Sequence, residues 1–190
     1  NVSNENLKYD SETMINYEIG FKGNLNKNFL FQTSIFYQDR EDVQTKQSIV
    51  TSINSDEQGG LCPCSFTDYI GNAVKGSNYG LETELIWLIN NKIDLFFNLG
   101  LLETEFNNYL SFSHVDSDLE NGTPVNLNGR EQSHAPRYQL SLGINYKITD
   151  DLFIKFDIEA KDEFYFSDRH NVQSDDYVLF NLLLGYQKES

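Results

Sequence analysis

The sequence predicts an all-β protein, an antiparallel transmembrane β-barrel segment of about seven strands. Three observations support this class. Apolar side chains recur at every second position over long stretches, and several stretches exceed the ~5 to 6 residues usual for soluble strands. The connections between the stretches alternate between short turns and long polar loops, which is typical of outer-membrane barrels.

Composition agrees with this class and excludes several others. The chain has 14% aromatic residues, which suit half-exposed sheet surfaces and membrane interfaces. It contains no run of the ~18 to 20 apolar residues that a membrane-spanning helix needs. A net charge of -15 argues against nucleic acid as a partner, because its phosphates are bound by Lys and Arg. The first residue is Asn1 and nothing near it resembles a leader, so we expect a processed chain or a fragment.

The first two strands are predicted over residues 13–25 and from Phe29 onward, with a tight polar turn at residues 26–28 between them. Apolar and polar side chains alternate along both strands, as expected for a sheet with unlike faces. Leu30 and Phe36 are exceptions, because they fall on the polar side of the second strand. The apolar side carries Tyr17, Ile19, Phe21, Phe29, Phe31, Ile35 and Tyr37.

Residues 46–70 lose the alternation and are rich in Ser, Asn, Asp and Gly, which predicts a long loop. The third strand is expected to begin near Asn72, and the pair Asn90-Asn91 forms the next short turn. The fourth strand follows from Ile93. The apolar sides of these two strands carry Tyr79, Leu81, Leu85, Trp87, Ile93, Leu95, Phe97, Leu99 and Leu101.

A second long polar loop is predicted over residues 107–134, and three further strands follow it. The fifth strand has the cleanest alternation, and residues 149–151 turn the chain into the sixth. A loop near residues 168–175 leads to the seventh. The apolar sides carry Tyr138, Leu140, Leu142, Ile144, Tyr146, Leu152, Ile154, Phe156, Ile158, Val178, Phe180, Leu182, Leu184 and Tyr186.

The lengths of the connections predict an orientation. Short turns follow the first, third and fifth strands, and long loops follow the second, fourth and sixth. Barrels of the outer membrane keep short turns on the periplasmic side. The first strand is therefore expected to run toward the periplasm, and residues 1–12 to belong to an external loop.

Aromatic residues are expected to mark the two membrane interfaces. Tyr138 and Tyr146 bracket the apolar side of the fifth strand at a separation that suits the aromatic girdles of a barrel. Trp87 and Tyr186 are assigned to the same girdles.

Several local stretches resemble the barrel of TonB-dependent receptors. Leu7-Lys8 followed by Asn16-Tyr17-Glu18-Ile19-Gly20-Phe21-Lys22-Gly23 is similar to a recurrent pattern of that family, although Tyr9-Asp10 stand where the family has Pro-Glu. Asn72-Ala73 followed by Tyr79-Gly80-Leu81-Glu82, and Ala135-Pro136 before the fifth strand, also resemble family segments. Each piece is degenerate, and the order and spacing of the pieces carry the specificity.

The resemblance implies that residues 1–190 form part of a roughly 22-stranded barrel, with the plug domain and the final strands absent. It implies an outer-membrane receptor of a Gram-negative bacterium that takes up a scarce ligand with TonB-coupled energy. The ligand would be an iron-siderophore, cobalamin or an oligosaccharide. The expected partners are outer-membrane lipid, this ligand, and the TonB complex acting through the missing plug region.

The polar side of each strand would line the barrel lumen, so its charged and amide residues are candidates for contact with the plug or ligand. Each is more often an ordinary solvated wall residue. The candidates are Glu18, Lys22, Gln32, Arg40, Glu82, Glu84, Arg137 and Lys155.

Cys62 and Cys64 flank one proline in the longest predicted loop. A disulfide between them would close a strained small ring, so a local constraint or a bridge to a missing part of the chain is favoured. No His stands at a ligand-like spacing, so no metal site is predicted. The chain also lacks the motifs of a nucleophile elbow, a phosphate loop or a metalloprotease, so we expect neither an enzyme nor a cofactor.

Two alternatives remain open at this point. A passive porin has the same kind of wall but no plug. A soluble β-sandwich binding module would instead bury the aromatic side of its strands in a core and bind sugar or protein through its long loops.

Overall fold

The structure is a computed structural model. It describes residues 8–55, 61–72, 75–111 and 123–188, with side chains for all of these except 47–55 and 61–66. The strands in these parts of the chain are β1 (Thr13–Asn26), β2 (Phe29–Glu41), β3 (Gln44–Ser55), β4 (Leu61–Asn72), β5 (Lys75–Leu88), β6 (Ile93–Asn107), β7 (Leu110–Ser111), β8 (Val125–Asn126), β9 (Tyr138–Lys147), β10 (Leu152–Lys161) and β11 (Tyr177–Tyr186).

The prediction of seven long strands is confirmed. They form one sheet in the order β1-β2-β5-β6-β9-β10-β11, and every neighbouring pair is antiparallel. Strands that follow one another among these seven are therefore also neighbours in space, as in a meander. The expected all-β class is confirmed with it.

The prediction of a loop over residues 46–70 is wrong. Strands β3 and β4 pair there as a separate two-stranded hairpin, and β5 begins at Lys75 and not near Asn72. The alternation rule detects a strand with one buried face, and a polar hairpin outside the main sheet carries no such signal. The predicted loop of residues 107–134 contains a smaller pair, β7 with β8.

The alternation of short and long connections is confirmed. Residues 27–28, 89–92 and 148–151 join strands at one end of the sheet, here called the turn end. Residues 42–74, 108–137 and 162–176 connect strands at the other end, here called the rim end. Since neighbouring strands are antiparallel, successive connections fall at opposite ends.

Short polar side chains stabilise the tight turns. The Asn26 side-chain oxygen accepts a hydrogen bond of 2.8 Å from the Asn28 amide. The Asn90 side-chain oxygen accepts one of 2.8 Å from the Lys92 amide and one of 3.0 Å from the Ile93 amide. Such Asx turns replace backbone pairing that the reversing chain cannot make itself.

Strand register places the predicted apolar sides of all seven strands on one side of the sheet, here called the apolar face. Tyr37 lies between Tyr17 of β1 and Tyr79 of β5, and farther along the sheet Leu99 of β6 lies beside Leu140 of β9. The residues between them form the opposite side, here called the polar face. Because side chains alternate with period two, one slip in register would exchange the two faces.

No described part of the chain covers the apolar face. Leu101 and Ile144 are 43% and 39% exposed although both belong to interior strands, and Leu182 near the edge is 73% exposed. A sandwich would bury such side chains against a second sheet about 10 Å away. The structure therefore does not support the β-sandwich alternative.

The buried apolar residues of the described chain lie at the rim end. Val43, Phe106, Tyr109 and Leu127 form a small cluster, with the rings of Phe106 and Tyr109 4.9 Å apart. The cluster joins Val43, which lies between β2 and β3, to the end of β6 and to two residues that come after β6. Apolar packing thus holds Tyr109 and Leu127 against the sheet.

Three phenylalanines on the polar face, including the exception Phe36, have a common explanation. Each ring lies over a glycine of the neighbouring strand, so that a Cβ built on the glycine would come within 2.7 Å of the ring. The ring occupies space that only a glycine leaves open, and it shields the bare backbone from water. The pairs are Phe36 with Gly80, Phe96 with Gly143, and Phe153 with Gly185.

Substitution at one of these glycines tests this packing. A Cβ at Gly80 would lie 2.2 Å from the Leu101 carbonyl oxygen, which belongs to the backbone and cannot rotate away. We expect Gly80→Ala to lower the free energy of unfolding by about 1–3 kcal/mol. Unfolding of the complete protein by guanidinium chloride in detergent measures this change in free energy.

The matched control is Gly100→Ala, in the adjacent strand and on the same face. A Cβ at Gly100 meets nothing within 4 Å, so this variant should be at least as stable as the parent. Equal losses in the two variants would contradict the explanation.

Candidate functional site on the polar face and its rim

An open groove of about 470 Å³ runs across the middle of the polar face. Side chains from six strands contribute to it, and most of them carry amide, hydroxyl or carboxylate groups. The polar residues lining it are Gln32, Ser34, Glu82, Thr83, Glu84, Asn98, Gln139, Ser141, Glu159, Lys161 and Tyr177.

Strand register explains how residues distant in sequence meet in this groove. Partners on successive strands form two rows that run perpendicular to the strands. One row contains Lys22, Gln32, Glu84, Asn98, Ser141 and Glu159. The adjacent row contains Ser34, Glu82, Gly100, Gln139, Lys161 and Tyr177.

The groove is predominantly acidic. Glu82, Glu84 and Glu159 are exposed, and none of their carboxylates has an ion pair or hydrogen bond with the described residues. The one cation in the lining is Lys161, whose ammonium lies 4.5 Å from the centre of the Phe164 ring. These carboxylates are free to contact a solute or a protein surface.

Seven of the eight candidate lumen residues share the polar face. Gln32, Glu82 and Glu84 line the groove itself. Arg137 differs, because it precedes β9 and its guanidinium contacts Glu131 and approaches Glu103 to 4.0 Å. Glu103 pairs with Tyr79 and so belongs to the apolar-face side. The other members on the polar face are Glu18, Lys22, Arg40 and Lys155.

Sequence analysis missed several residues of the groove. Asn98, Ser141, Glu159 and Lys161 belong to its lining and were not among the candidates. Their positions on the polar side of predicted strands were available from the alternation. The missing information was the register, which decides which strands align these residues with Glu84.

At the rim end, Arg40 joins parts of the chain that are far apart in sequence. Its Nε donates to the Glu12 carboxylate at 2.7 Å, and a terminal nitrogen donates to the Gln132 side-chain oxygen at 2.6 Å. The Gln132 amide nitrogen in turn donates to the Asn78 side-chain oxygen at 2.9 Å. Four segments are thus linked by half-buried polar groups. Glu12, Asn78 and Gln132 carry no sequence signal of this role.

Two ion pairs at the rim end shift the pKa values of their members. Lys75 Nζ lies 2.6 Å from the Glu41 carboxylate, and this hydrogen bond together with the Lys75 charge holds the pKa of Glu41 below its ordinary value. The same contact raises the pKa of Lys75. A hydrogen bond to Glu131, together with its charge, raises the pKa of Arg137. The Lys75–Glu41 pair is exposed on both sides and contributes little to stability.

Aromatic residues form two bands on the apolar face, separated by eight residues along a strand, or about 26 Å at 3.3 Å per residue. The structure places the four predicted girdle residues in these bands. Tyr17, Tyr37 and Tyr79 were not among the predicted girdle residues and stand in one row of these bands. The band near the rim end contains Tyr17, Tyr37, Tyr79 and Tyr138, and the band near the turn end contains Phe29, Trp87, Tyr146 and Tyr186.

The polar face contains an apolar patch toward the turn end. Leu30 pairs with Ile86, which pairs with Phe96, and Asp94, Asn145, Lys155 and Asp157 lie beside this patch on the same face. A water-filled pore favours polar walls throughout. This part of the wall suits contact with a protein surface.

Other candidate sites receive no support from the described residues. The side chains of Cys62 and Cys64 lie outside the described part of the structure, so the predicted disulfide stays a prediction. Within the described ranges, no three His, Cys, Asp or Glu side chains are placed to hold a metal ion. Nor does the described chain contain a helix that is long and apolar enough to cross a membrane.

Comparison with known proteins gives one family. Residues 1–189 match the family described as "TonB dependent receptor-like, beta-barrel". Solved structures with the same arrangement include the ferric yersiniabactin uptake receptor FyuA from Yersinia pestis. Its identity to this chain is 22%, and the TM-score is 0.63. The match covers 92% of this chain and 22% of that one.

Two further solved structures resemble this chain. The ferric-catecholate import receptor Fiu from K12 E. coli is 16% identical with a TM-score of 0.62, over 95% of this chain and 22% of that one. The copper transporter OprC is 10% identical with a TM-score of 0.59, over 90% of this chain and 23% of that one. The chain therefore spans less than a quarter of the length of each, and identities this low show the fold alone.

The hydrogen-bond network around Arg40 predicts that two basic residues at the rim end contribute differently to stability. Arg40→Met removes a guanidinium that is 21% exposed and leaves the Glu12 carboxylate without its partner. We expect a loss of about 1–3 kcal/mol in the free energy of unfolding. Unfolding of the complete protein by guanidinium chloride in detergent measures this loss.

Lys75→Met is the control for the rim network. It breaks an ion pair whose two side chains are each 56% exposed, and we expect no measurable change. If the two variants lose the same stability, the Arg40 network has no special role.

Proposed function

Because the chain belongs to the TonB-dependent receptor β-barrel family, we propose that it forms part of the wall of an outer-membrane receptor that imports a scarce ligand. Energy for release of the ligand would come through TonB. The proposed location is the outer membrane of a Gram-negative bacterium.

One observation carries the proposal. The apolar face continues across all seven strands, is exposed, and is bounded on both sides by aromatic bands. An exposed apolar surface of this extent is not stable in water, whereas hydrocarbon between two interfaces would solvate it. Lipid is therefore the proposed partner of this face.

The names of the matched structures guide the choice of ligand. Two of them are described as receptors for ferric yersiniabactin and for ferric catecholates. An iron-siderophore is therefore the first ligand class to test, ahead of cobalamin and oligosaccharides. The acidic groove and the rim would face the path of this ligand.

We further propose that a plug domain and further strands complete the wall formed by residues 1–190. The apolar region at the turn end of the polar face supports a protein domain inside the barrel, because water is a poor partner for Leu30, Ile86 and Phe96. It also favours a plugged receptor over a passive porin, which would need a polar wall along its whole length.

Two neighbouring residues test which face meets lipid. Leu140→Arg places a cation in the middle of the apolar face, where the cost in lipid is about 2–4 kcal/mol. Gln139→Arg, one residue earlier on the polar face, is the matched control. We expect the first variant to reduce the amount of folded receptor in outer-membrane fractions, and the second to leave it unchanged. Similar amounts of both would contradict the assignment of the faces.

Uptake by cells tests the transport itself. Deletion of the complete gene should abolish accumulation of a radiolabelled ferric siderophore under iron limitation, and so should deletion of tonB, because release requires coupled energy. The complete gene supplied in trans should restore accumulation. Accumulation that survives loss of TonB but requires this gene would favour the porin. If a full panel of ferric siderophores is tested and the accumulation of none of them depends on the gene, iron uptake is contradicted.

A further inference from the structure

The connection formed by residues 162–176, here called the latch segment, is held in place chiefly by polar contacts with residues 130–134. Arg130 makes most of them. One terminal nitrogen donates to the Asn171 side-chain oxygen at 2.8 Å, and the other donates to the carbonyl oxygens of Ser167 (3.5 Å) and His170. Its guanidinium carbon lies 4.0 Å from the centre of the Tyr165 ring.

Two neighbouring amides add to the attachment. The Ser133 amide donates to the Asp168 carboxylate at 3.0 Å, and the His134 amide donates to the Tyr165 carbonyl at 2.8 Å. Within the latch segment, the Ser174 amide donates to the Phe164 carbonyl at 2.9 Å, so the segment has a folded shape of its own.

The latch segment is attached to the sheet in a different way from the long connection between β6 and β9. Tyr109 and Leu127 of that connection belong to the buried cluster around Phe106, and apolar packing of this kind offers no polar group that an anion could replace. The latch segment contributes no residue to this cluster. Besides the contact between the His134 and Phe164 rings and the ion pair of Arg169 with Asp68, its attachment consists of hydrogen bonds, and a charged solute can replace those of Arg130.

Arg130 is also unusual among the four arginines of the chain, all of which are described. Arg40, Arg137 and Arg169 each have a carboxylate partner, respectively Glu12, Glu131 and Asp68. Every hydrogen-bond acceptor of Arg130 is a neutral oxygen. Its charge is therefore not compensated by a described carboxylate, although the chain carries a net charge of -15.

The latched arrangement also leaves one donor unused. The Nε of Arg130 is buried and has no hydrogen-bond partner. A buried donor without an acceptor destabilises the arrangement that contains it. Hydrogen bonds from a guanidinium to an ionised oxygen are roughly twice as strong as those to neutral oxygens. The contacts to Asn171 and His170 lie at the surface, where a solute can reach them.

We propose that Arg130 is a binding point for an oxyanion and that binding there releases the latch segment. A carboxylate, phosphate or ionised phenol supplies the charged acceptor that the latched state lacks. It takes the guanidinium from the neutral oxygens of Asn171 and His170, and the segment then separates from residues 130–134. The proposal concerns binding and does not depend on transport.

Hydrogen exchange of the complete protein in detergent tests this, with citrate as the probe and sodium chloride at equal ionic strength as its control. The amides of Ser133 and His134 report the attachment directly, because their acceptors belong to the latch segment. We expect citrate to accelerate exchange of these two amides by about tenfold and chloride to leave it unchanged.

Two variants separate a role of Arg130 from a general effect of charge. Arg130→Met should exchange rapidly at Ser133 and His134 with or without citrate, because the latch is already lost. Arg169→Met removes a guanidinium of the latch segment itself, one that ties the segment to Asp68 of β4. This variant should raise the basal exchange rate but keep the further acceleration by citrate, because Arg130 is intact.

The parent protein decides the question even if a variant fails to fold. An unchanged exchange rate in citrate, or the same acceleration by chloride, overturns the proposal. So does an undiminished citrate response in folded Arg130→Met. Because no uptake is measured, these results are independent of whether the receptor imports an iron chelate.

Discussion

Lateral backbone hydrogen bonding in one continuous register is the constraint on which the rest of the structure depends. Seven antiparallel strands satisfy the amides and carbonyls of their neighbours, so the interior strands need no partner outside the sheet. The same register aligns apolar residues of neighbouring strands on one face, as in the row of Tyr17, Tyr37 and Tyr79. A wall only one layer thick can therefore present a surface suited to lipid on one side and a polar groove on the other.

The two ends of this wall are built differently, and the difference follows from what each must do. At the turn end a few Asn and Thr side chains close tight reversals, such as those at Asn26 and Asn90. At the rim end long connections add a hairpin, a small apolar cluster and the Arg40 and Arg130 networks. Loops held by a rigid scaffold are where binding residues concentrate. The chemistry of this chain is accordingly expected at the rim and in the groove.

Sequence analysis located the long strands because each has one apolar and one polar side, and a period of two is directly visible. It failed for the β3–β4 hairpin, which has no such signal and was assigned to a loop. It also had no explanation for Phe36 on the polar side, since the glycine beneath that ring is 44 residues away in sequence. Of the groove, it named Gln32, Glu82 and Glu84 but could not know that Asn98 and Glu159 stand in line with them.

The sequence by itself determined the class of the fold, the number of strands in the main sheet, the identity of the two faces and the alternation of short and long connections. These properties are local, because each follows from residue types within one strand or one turn. Only the tertiary structure decided which side chains meet: the two rows of the groove, the tyrosine row, the ring-over-glycine pairs and the neutral acceptors around Arg130. The reason is physical. Pairing between strands fixes contacts across tens of residues, and a sequence pattern of period two is unchanged when one strand slides past another by two residues.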